Sequence, residues 1–341
     1  MAFCQRVSPA IPIKNSVLQN AAKNVDPRKW GNPNPSPINP SAKIPNTSEC
    51  LAPLTAWLDN LLKQGILQKD DHICYSSDED FNNVPLQYLR FKKGILLDWF
   101  SLSRVHSAFH LDLVLGKASS PSPTQYLGVI VPRLQEYEEK FLADLDAPIQ
   151  WLAKHKHGHS IRFADATLKR LKTEVLDHRI VHFSTHGYFP EQEQRNPGNP
   201  YHDSFLLLAD ENGLPDKYQA IDKLKQLTPK MILEEKLNLQ DSHVSVMACV
   251  SGLAKEGIAG DTLGLDCAFI QAGASSLIST HWQVSNAWAA HFFIRFYEKW
   301  IKGKQSRASA YRETTLELLD QNYTPGSLYS WAAFSLTGDF R

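Results

Sequence analysis

The sequence predicts an α/β fold built on a mostly parallel sheet with helices on both faces. Two observations predict it. From residue 49 onward, short apolar runs of strand length alternate with longer amphipathic segments, the pattern of repeated βα units. Several of those runs, such as "YLGVIV" and "FLLLA", are apolar throughout rather than at every second position, as strands covered on both faces must be.

Residues 1–48 hold eight prolines, including "NPNPSPINP". Such a stretch has little to bury and favours extended backbone, so it reads as a tail or tether that docks on a partner or on the body. Order begins near Glu49. "LAPLTAWLDNLLKQGI" has apolar residues at helical spacing, with Gly65 placed to stop the helix. "HICYSS" and "QYLGVIV" read as buried strands. "DAPIQWLAKH" and "DATLKRLKTEVLDH" read as amphipathic helices, the second with Asp165 as N-cap. A strand over 179–185 leads into the polar loop "PEQEQRNPGNPYHD", then the strand "SFLLLAD" and the turn "DENG". "PKMILEEKLNL" reads as a helix and "HVSVMA" as a strand. "DTLGLDCAFIQAG" reads as a helix closed by Gly273, with Cys267 in its core face, and "ASSLISTHW" as the next strand. The aromatic-rich "NAWAAHFFIRFYEKWIKG" and "SRASAYRETTLELLDQ" read as packing helices. "WAAFSLTGD" makes a last strand.

Composition narrows the function classes. Lys plus Arg equals Asp plus Glu, 36 each, so no basic excess points to nucleic acid and no acidic excess to a solvating tail. The five cysteines, at 4, 50, 74, 249 and 267, form no Cys-x-x-Cys pair, which fits a reducing compartment better than a disulfide framework. No apolar run reaches the length of a membrane span, and Pro9, Pro12 and Lys14 interrupt any signal-peptide core. The expectation is a cytoplasmic protein with no membrane partner.

In an open parallel sheet, sites form outside the carboxyl ends of the strands. Two strand ends carry chemistry: His186-Gly187 after "VHFST", and Cys249 after "VSVMA". If their strands are neighbours, both side chains share one rim. An imidazole beside a thiol can take its proton, making a far better nucleophile, and can then protonate a departing amine. Gly187 lets a substrate approach the backbone closely; its N–H, with that of Cys249, can form an oxyanion hole. Alone, His186 also reads as a core histidine at a strand end, and Cys249 as a small buried hydrophobe. Their joint placement favours chemistry. The chain carries Ser-Thr-His a second time in "LISTHWQV", at His281. "HKHGH", 155–159, could chelate a metal but reads first as a solvated turn, so no metal is expected. The loop 190–202, beside the expected dyad, is either a gate to the cleft or a surface insertion.

The stretches "VHFSTHGYF", "VSVMACVSGLA", "GDTLGLDCAFIQAGASSLISTHWQV", "FYEKWIKG", "ASAYRETTLELL" and "YSWAAFSLTGDF", in this order and spacing, resemble the CHAT family of caspase-like cysteine peptidases, relatives of caspases and separase. A weaker match extends upstream through "VPLQYLRFKKGILLDWFSLSRVHSA". The resemblance implies a caspase-like sheet in tandem units: a degenerate unit over 49–160 and a catalytic unit over 161–341. It implies a cysteine endopeptidase with His186 and Cys249 as dyad, Gly187 and Cys249 N–H groups as oxyanion hole, and no cofactor. His281 falls where the family places a strand end near the specificity pocket. Family members often carry an acidic residue four positions after the Trp of that segment. This chain has Asn286 there, so a basic preference before the cut bond, as in separase, does not carry over. Asp261 is a further candidate substrate contact; as N-cap of the following helix it has an ordinary structural role. The family implies one protein substrate, a separate regulatory or sensor protein, and a regulated prokaryotic defence setting, gasdermin- or CRISPR-linked. A catalytically silent binding module is the alternative. The oligomeric state is not legible.

Overall fold

The computed structural model describes residues 51–77, 85–116, 125–131, 139–188, 204–210, 225–248, 254–256, 262–281, 284–321 and 333–341. The tail 1–48, the loop 190–202, residues 211–213 of the turn "DENG", Cys249 and Asp261 lie outside these residues.

The first half builds helix α1 (Ala52–Lys63), strand β1 (His72–Tyr75), a small hairpin of β2 (Arg90–Phe91) and β3 (Gly94–Ile95), strand β4 (Ser101–Arg104) and helix α2 (Ala108–Gly116). Strand β5 (Gln125–Val131), helix α3 (Glu139–His155) and strand β6 (His157–Arg162) follow, then α4 (Leu168–Glu174) and β7 (Ile180–Thr185). A three-stranded sheet is added by β8 (Gly187–Tyr188), β9 (Phe205–Leu208) and β10 (Lys225–Leu227), before α5 (Pro229–Glu234) and β11 (His243–Met247). The last part holds β12 (Ala254–Glu256), β13 (Thr262–Gly264), α6 (Leu265–Gln271), β14 (Ser276–Thr280), α7 (Asn286–Tyr297), α8 (Arg307–Gln321) and β15 (Phe334–Gly338).

Eight strands pair in the order β1-β4-β15-β14-β11-β7-β5-β6. The five from β14 to β6 run parallel. At β14 the next strand, β15, runs antiparallel, and β4 and β1 continue parallel to β15. The sheet is thus mostly parallel, two parallel blocks meeting at one antiparallel joint. Residue 160, the expected boundary between tandem units, falls inside β6. Strands from before that position lie at both edges of the sheet.

The pleat sends alternate side chains to opposite faces, and each face has its own core. Leu127, Val129, Val181, Phe183, Val244, Val246 and Leu277 meet Leu171 of α4, Ile232 of α5 and Phe269 of α6 on one face. On the other, Ile130, Ile180, Ile278 and Leu336 meet Leu145 and Ile149 of α3 and the aromatic face of α7. Gly128 permits the close seat of α3, since a Cβ there would stand 2.7 Å from Ile149 Cγ2. Helix α7 is the packing helix its aromatic spacing predicts: Phe292 is fully buried and stacks on Phe334 of β15 with centroids 3.8 Å apart.

Several local expectations are corrected. Helix α4 is capped by Thr167, whose side chain accepts from the Arg170 N–H, and Asp165 ends a preceding 3₁₀ turn. Thr262–Gly264 is strand rather than helix, and α6 has Gly264 as its N-cap, not Asp261. Cys267 is half-buried, not core. The "HKHGH" stretch closes α3 and begins the edge strand β6, where His159 pairs with Glu174. β1 is half-buried along its length, as an edge strand must be. Gly273, with φ +104°, does end α6 as expected. Among the described residues, no helix is long and apolar enough to cross a membrane.

Removing the Phe292 ring opens a large cavity at the joint between α7 and β15. Phe292→Ala is expected to cost about 3–5 kcal/mol, read as a lower urea midpoint at unchanged slope.

Candidate active site

Three neighbouring parallel strands, β7, β11 and β14, end at one rim. β7 and β11 pair from Ile180↔His243 to Ser184↔Met247. His186 stands two residues beyond Ser184. Cys249 stands two residues beyond Met247 in the sequence and lies outside the described residues, as does Asp261.

His186 is half-buried between β7 and β8. Its carbonyl accepts from the Leu207 N–H at 2.9 Å, and Gly187 pairs with Leu206. In an antiparallel ladder, hydrogen-bonded and non-bonded pairs alternate. The bond between His186 and Leu207 makes Gly187–Leu206 the non-bonded pair, so the Gly187 N–H and C=O both turn away from β9. Gly187 therefore presents a backbone donor on the side opposite its sheet partner, one residue after the imidazole.

Beneath the rim, the face covered by α7 carries polar side chains in a row. Ser184 Oγ donates to the Leu145 carbonyl at 2.7 Å, which leaves it to accept from His182 Nε2–H at 3.1 Å. The Nδ1 of a neutral His182 then accepts from the Tyr297 hydroxyl at 2.8 Å. Ser245 Oγ lies 2.7 Å from that hydroxyl and 3.1 Å from His243 Nε2; His243 Nδ1 lies 2.8 Å from Ser276 Oγ. All six side chains are fully buried, so each must find its partner inside the protein. The row ties β7, β11, β14, α3 and α7 together.

The other face carries charge. Arg104 of β4 is 1% exposed. Asp266, at the start of α6, accepts from Ser279 Oγ at 2.9 Å. Burial raises its carboxyl to about 6, against the pull of Arg104 and the Ser279 bond. His281 is 2% exposed and its N–H donates to the Ala333 carbonyl at 2.8 Å. Burial first, and Arg104 second, lower its ring to about 3. His281 is thus a neutral, buried imidazole near Arg104. Asn286 is half-buried at the first turn of α7, whose cap is Ser285, accepting from the Trp288 N–H. Of the residues singled out from the sequence, the described structure brings His186 and Gly187 to the rim, keeps His281 buried below it and places Asn286 on a helix end.

Two residues the sequence reading passed over stand at the same rim. Thr185 Oγ1 donates to the Leu207 carbonyl at 2.7 Å, and Thr280 Oγ1 to the Ala248 carbonyl at 2.5 Å. The repeated Ser-Thr-His was the available signal. Among the described residues, no cluster of three or more His, Cys, Asp or Glu has the arrangement to hold a metal ion.

The CHAT domain profile matches residues 47–339. No curated protein sequence matches the chain. Among solved structures, gingipain R, an Arg-specific cysteine proteinase, superposes with a TM-score of 0.57 at 10% identity over 86% of this chain and 67% of its own. Separase from Saccharomyces cerevisiae, in complex with securin, superposes at 0.52 with 15% identity over 98% of this chain, and in a second structure at 0.50 with 14% identity over 76%. This chain spans 21% and 14% of those separase chains. At such identities the likeness is one of fold, a caspase-like α/β sheet.

Three buried histidines make the fold acid-sensitive. Burial lowers His182 and His281 from 6.5 to about 3 and His243 well below 6.5. Between pH 6.5 and 3 the unfolded chain binds protons that the native chain refuses, so stability falls as pH falls through that window. Asp266 acts in the opposite sense, since its raised carboxyl loses its contribution as pH rises through 6, but it stands against these three and against His72 and His106, which burial also lowers. The urea midpoint is expected to be clearly lower at pH 5 than at pH 7. An unchanged midpoint contradicts the neutral, buried histidines.

Proposed function

Because the chain belongs to the CHAT domain family, we propose that it is a cysteine endopeptidase that cuts a specific partner protein with a His186–Cys249 dyad. One observation supports this reading above the others: the parallel register of β7 and β11. With Ser184 opposite Met247, His186 follows β7 by two residues, and Cys249 follows β11 by the same two residues in the sequence. The outward-facing Gly187 N–H adds a donor beside them.

The chemistry follows from these groups. His186 takes the thiol proton and the Cys249 sulfur attacks the scissile carbonyl carbon. The Gly187 and Cys249 N–H groups hold the resulting oxyanion. His186 returns the proton to the leaving amine as the C–N bond breaks, giving a thioester and a free amine. Water then attacks the thioester, releases the acid and restores the thiol. No cofactor enters. An extended substrate segment pairs with exposed backbone near the rim, so that main-chain hydrogen bonds supply affinity. Asp261 and the surface near Asn286 contribute to substrate choice, and Asn286, being neutral, does not select a basic residue before the cut bond. The substrate is one partner protein, in a regulated prokaryotic defence pathway linked to a gasdermin or a CRISPR effector, with the trigger supplied by a separate sensor protein or by the Pro-rich tail.

The test is mass spectrometry of fragments from proteins encoded beside this gene, incubated with wild type, Cys249→Ala and His186→Ala. Either substitution is expected to lower cleavage by about 10³-fold or more. A partner that binds equally to all three proteins and is cut by none supports the silent-module alternative instead.

A further inference from the structure

Helix α3 carries a line of small side chains that ends at a large ring. Ala143, Ala147 and Trp151 follow one another at four-residue steps, which places them one above the other on one side of the helix. With Ile294 of α7 they line an open groove of about 410 Å³. Asp146 and Gln150 edge it, and Lys154 stands beyond Trp151. The Asp146 carboxylate is already engaged, by Gln150 Nε2 at 2.7 Å and by Arg162 at 2.8 Å. The indole is held in place: His155 stacks on it with ring centroids 4.0 Å apart, and Tyr297 lies 6.0 Å away. Alanines beside a fixed indole take up an apolar segment with little ordering of the groove itself. The Leu145 carbonyl accepts from Ser184, so the Ala143 end of the groove lies level with the end of β7.

We propose that this groove seats the chain's own Pro-rich segment, residues 31–45, "GNPNPSPINPSAKIP". Such a segment favours the extended polyproline conformation before it binds, and aromatic-lined grooves are its usual seats. In that conformation every third residue returns to the same edge, about 9 Å along. Pro37 and Pro40 have that spacing, and the stripe from Ala143 to Trp151 is about 12 Å long. Reach is sufficient. Leu51 and Leu58 of α1 lie in the same core as Leu145 and Ile149 of α3, so the tail joins the body on the face that α3 covers. Eight strands span about 34 Å, and the eleven residues from Pro40 to Leu51 span as much at about 3.1 Å each. Charge favours the contact as well. Residues 1–48 hold six Lys or Arg against one Asp, which leaves 30 Lys or Arg against 35 Asp or Glu in the rest of the chain. The neutral chain is thus a basic tail on an acidic body, and the two attract. The tether holds the segment at an effective concentration on the order of 1 mM, so an affinity of about 100 µM keeps the groove filled roughly nine-tenths of the time.

Hydroxyl-radical footprinting of the full chain, read by mass spectrometry, tests the seat. The oxidation rates of Trp151 and Trp99 are compared in wild type and in the tail variant Pro37→Ala/Pro40→Ala, which leaves every residue of the body unchanged. Trp151 is expected to oxidise up to about tenfold faster in the variant, the rise that uncovering a site filled nine-tenths of the time gives. Trp99 is expected to keep its rate, and protection of Trp151 in wild type is expected to be the same at low and high protein concentration. Equal Trp151 rates in the two proteins overturn the proposal. A parallel rise at Trp99 overturns it too, since the whole body has then loosened. Protection that grows with protein concentration assigns the groove to a second copy and overturns the tail as its occupant. The dyad takes no part in this contact, so Cys249→Ala is expected to give the wild-type footprint even where it abolishes cleavage.

Discussion

The register of β7 against β11 is the constraint on which the rest of the structure depends. Both strands are buried on both faces, and a slip of one residue would exchange every side chain between the two cores. The cores differ in kind. One is apolar throughout, with Val181, Phe183, Val244 and Val246 under α4, α5 and α6. The other carries His182, Ser184, His243 and Ser245 under α7, with a hydrogen-bond partner at each step. A slipped register would strand those polar groups among apolar side chains, at a cost of about 1–3 kcal/mol for each unsatisfied group. The buried polar row therefore specifies the pairing more strongly than apolar packing alone could, and the pairing brings two distant segments to the same level of the rim.

The sheet's one antiparallel joint shapes the site from the other side. β15 lies antiparallel to β14 and parallel to β4, so the C-terminal ends of β1, β4 and β15 open on the opposite rim from His186. β1, β4 and β15 thus take no part in the candidate site through their strand ends, whereas β5, whose Val131 pairs with Thr185, ends on the His186 rim. β4 contributes instead through Arg104, whose charge reaches Asp266 and His281 beneath the rim. Added to burial, the larger cause, that charge helps to keep the His281 imidazole neutral, and it draws the Asp266 carboxyl back toward ionisation. Segments from both ends of the chain therefore share one electrostatic unit, and the central sheet cannot be cut at residue 160 without breaking β6.

The strands and helices that pack on both sides were legible because their periodicity reports burial directly. "QYLGVIV" forms strand over the same seven residues the sequence marks, and the aromatic spacing of α7 places Phe292, Phe293 and Phe296 in the core. Short elements were not legible. β8, β10 and the β2–β3 hairpin are two or three residues long, and their pairing is decided by partners far away in the chain. The caps failed for a related reason: Asp165 and Thr167 are both good N-cap residues, and only the 3₁₀ turn over 163–165 decides between them. The position of His186 and Gly187 just past the end of β7 was legible from the apolar run that precedes them. Thr280 was not, because a hydroxyl at the end of an apolar run shows its use only when the carbonyl it holds is known.

The proposed chemistry needs an imidazole and a sulfur to meet across the ends of two adjacent strands. A short bifunctional alkylator measures that meeting directly. 1,3-Dibromoacetone reacts first with a thiolate and then, through its second carbon–bromine bond, with a nitrogen nucleophile within reach of its three-carbon bridge. Peptide mapping of the treated wild-type protein is expected to show Cys249 joined to His186. Cys249 alkylated but joined to another residue, or left with a hydrolysed second arm, would contradict it.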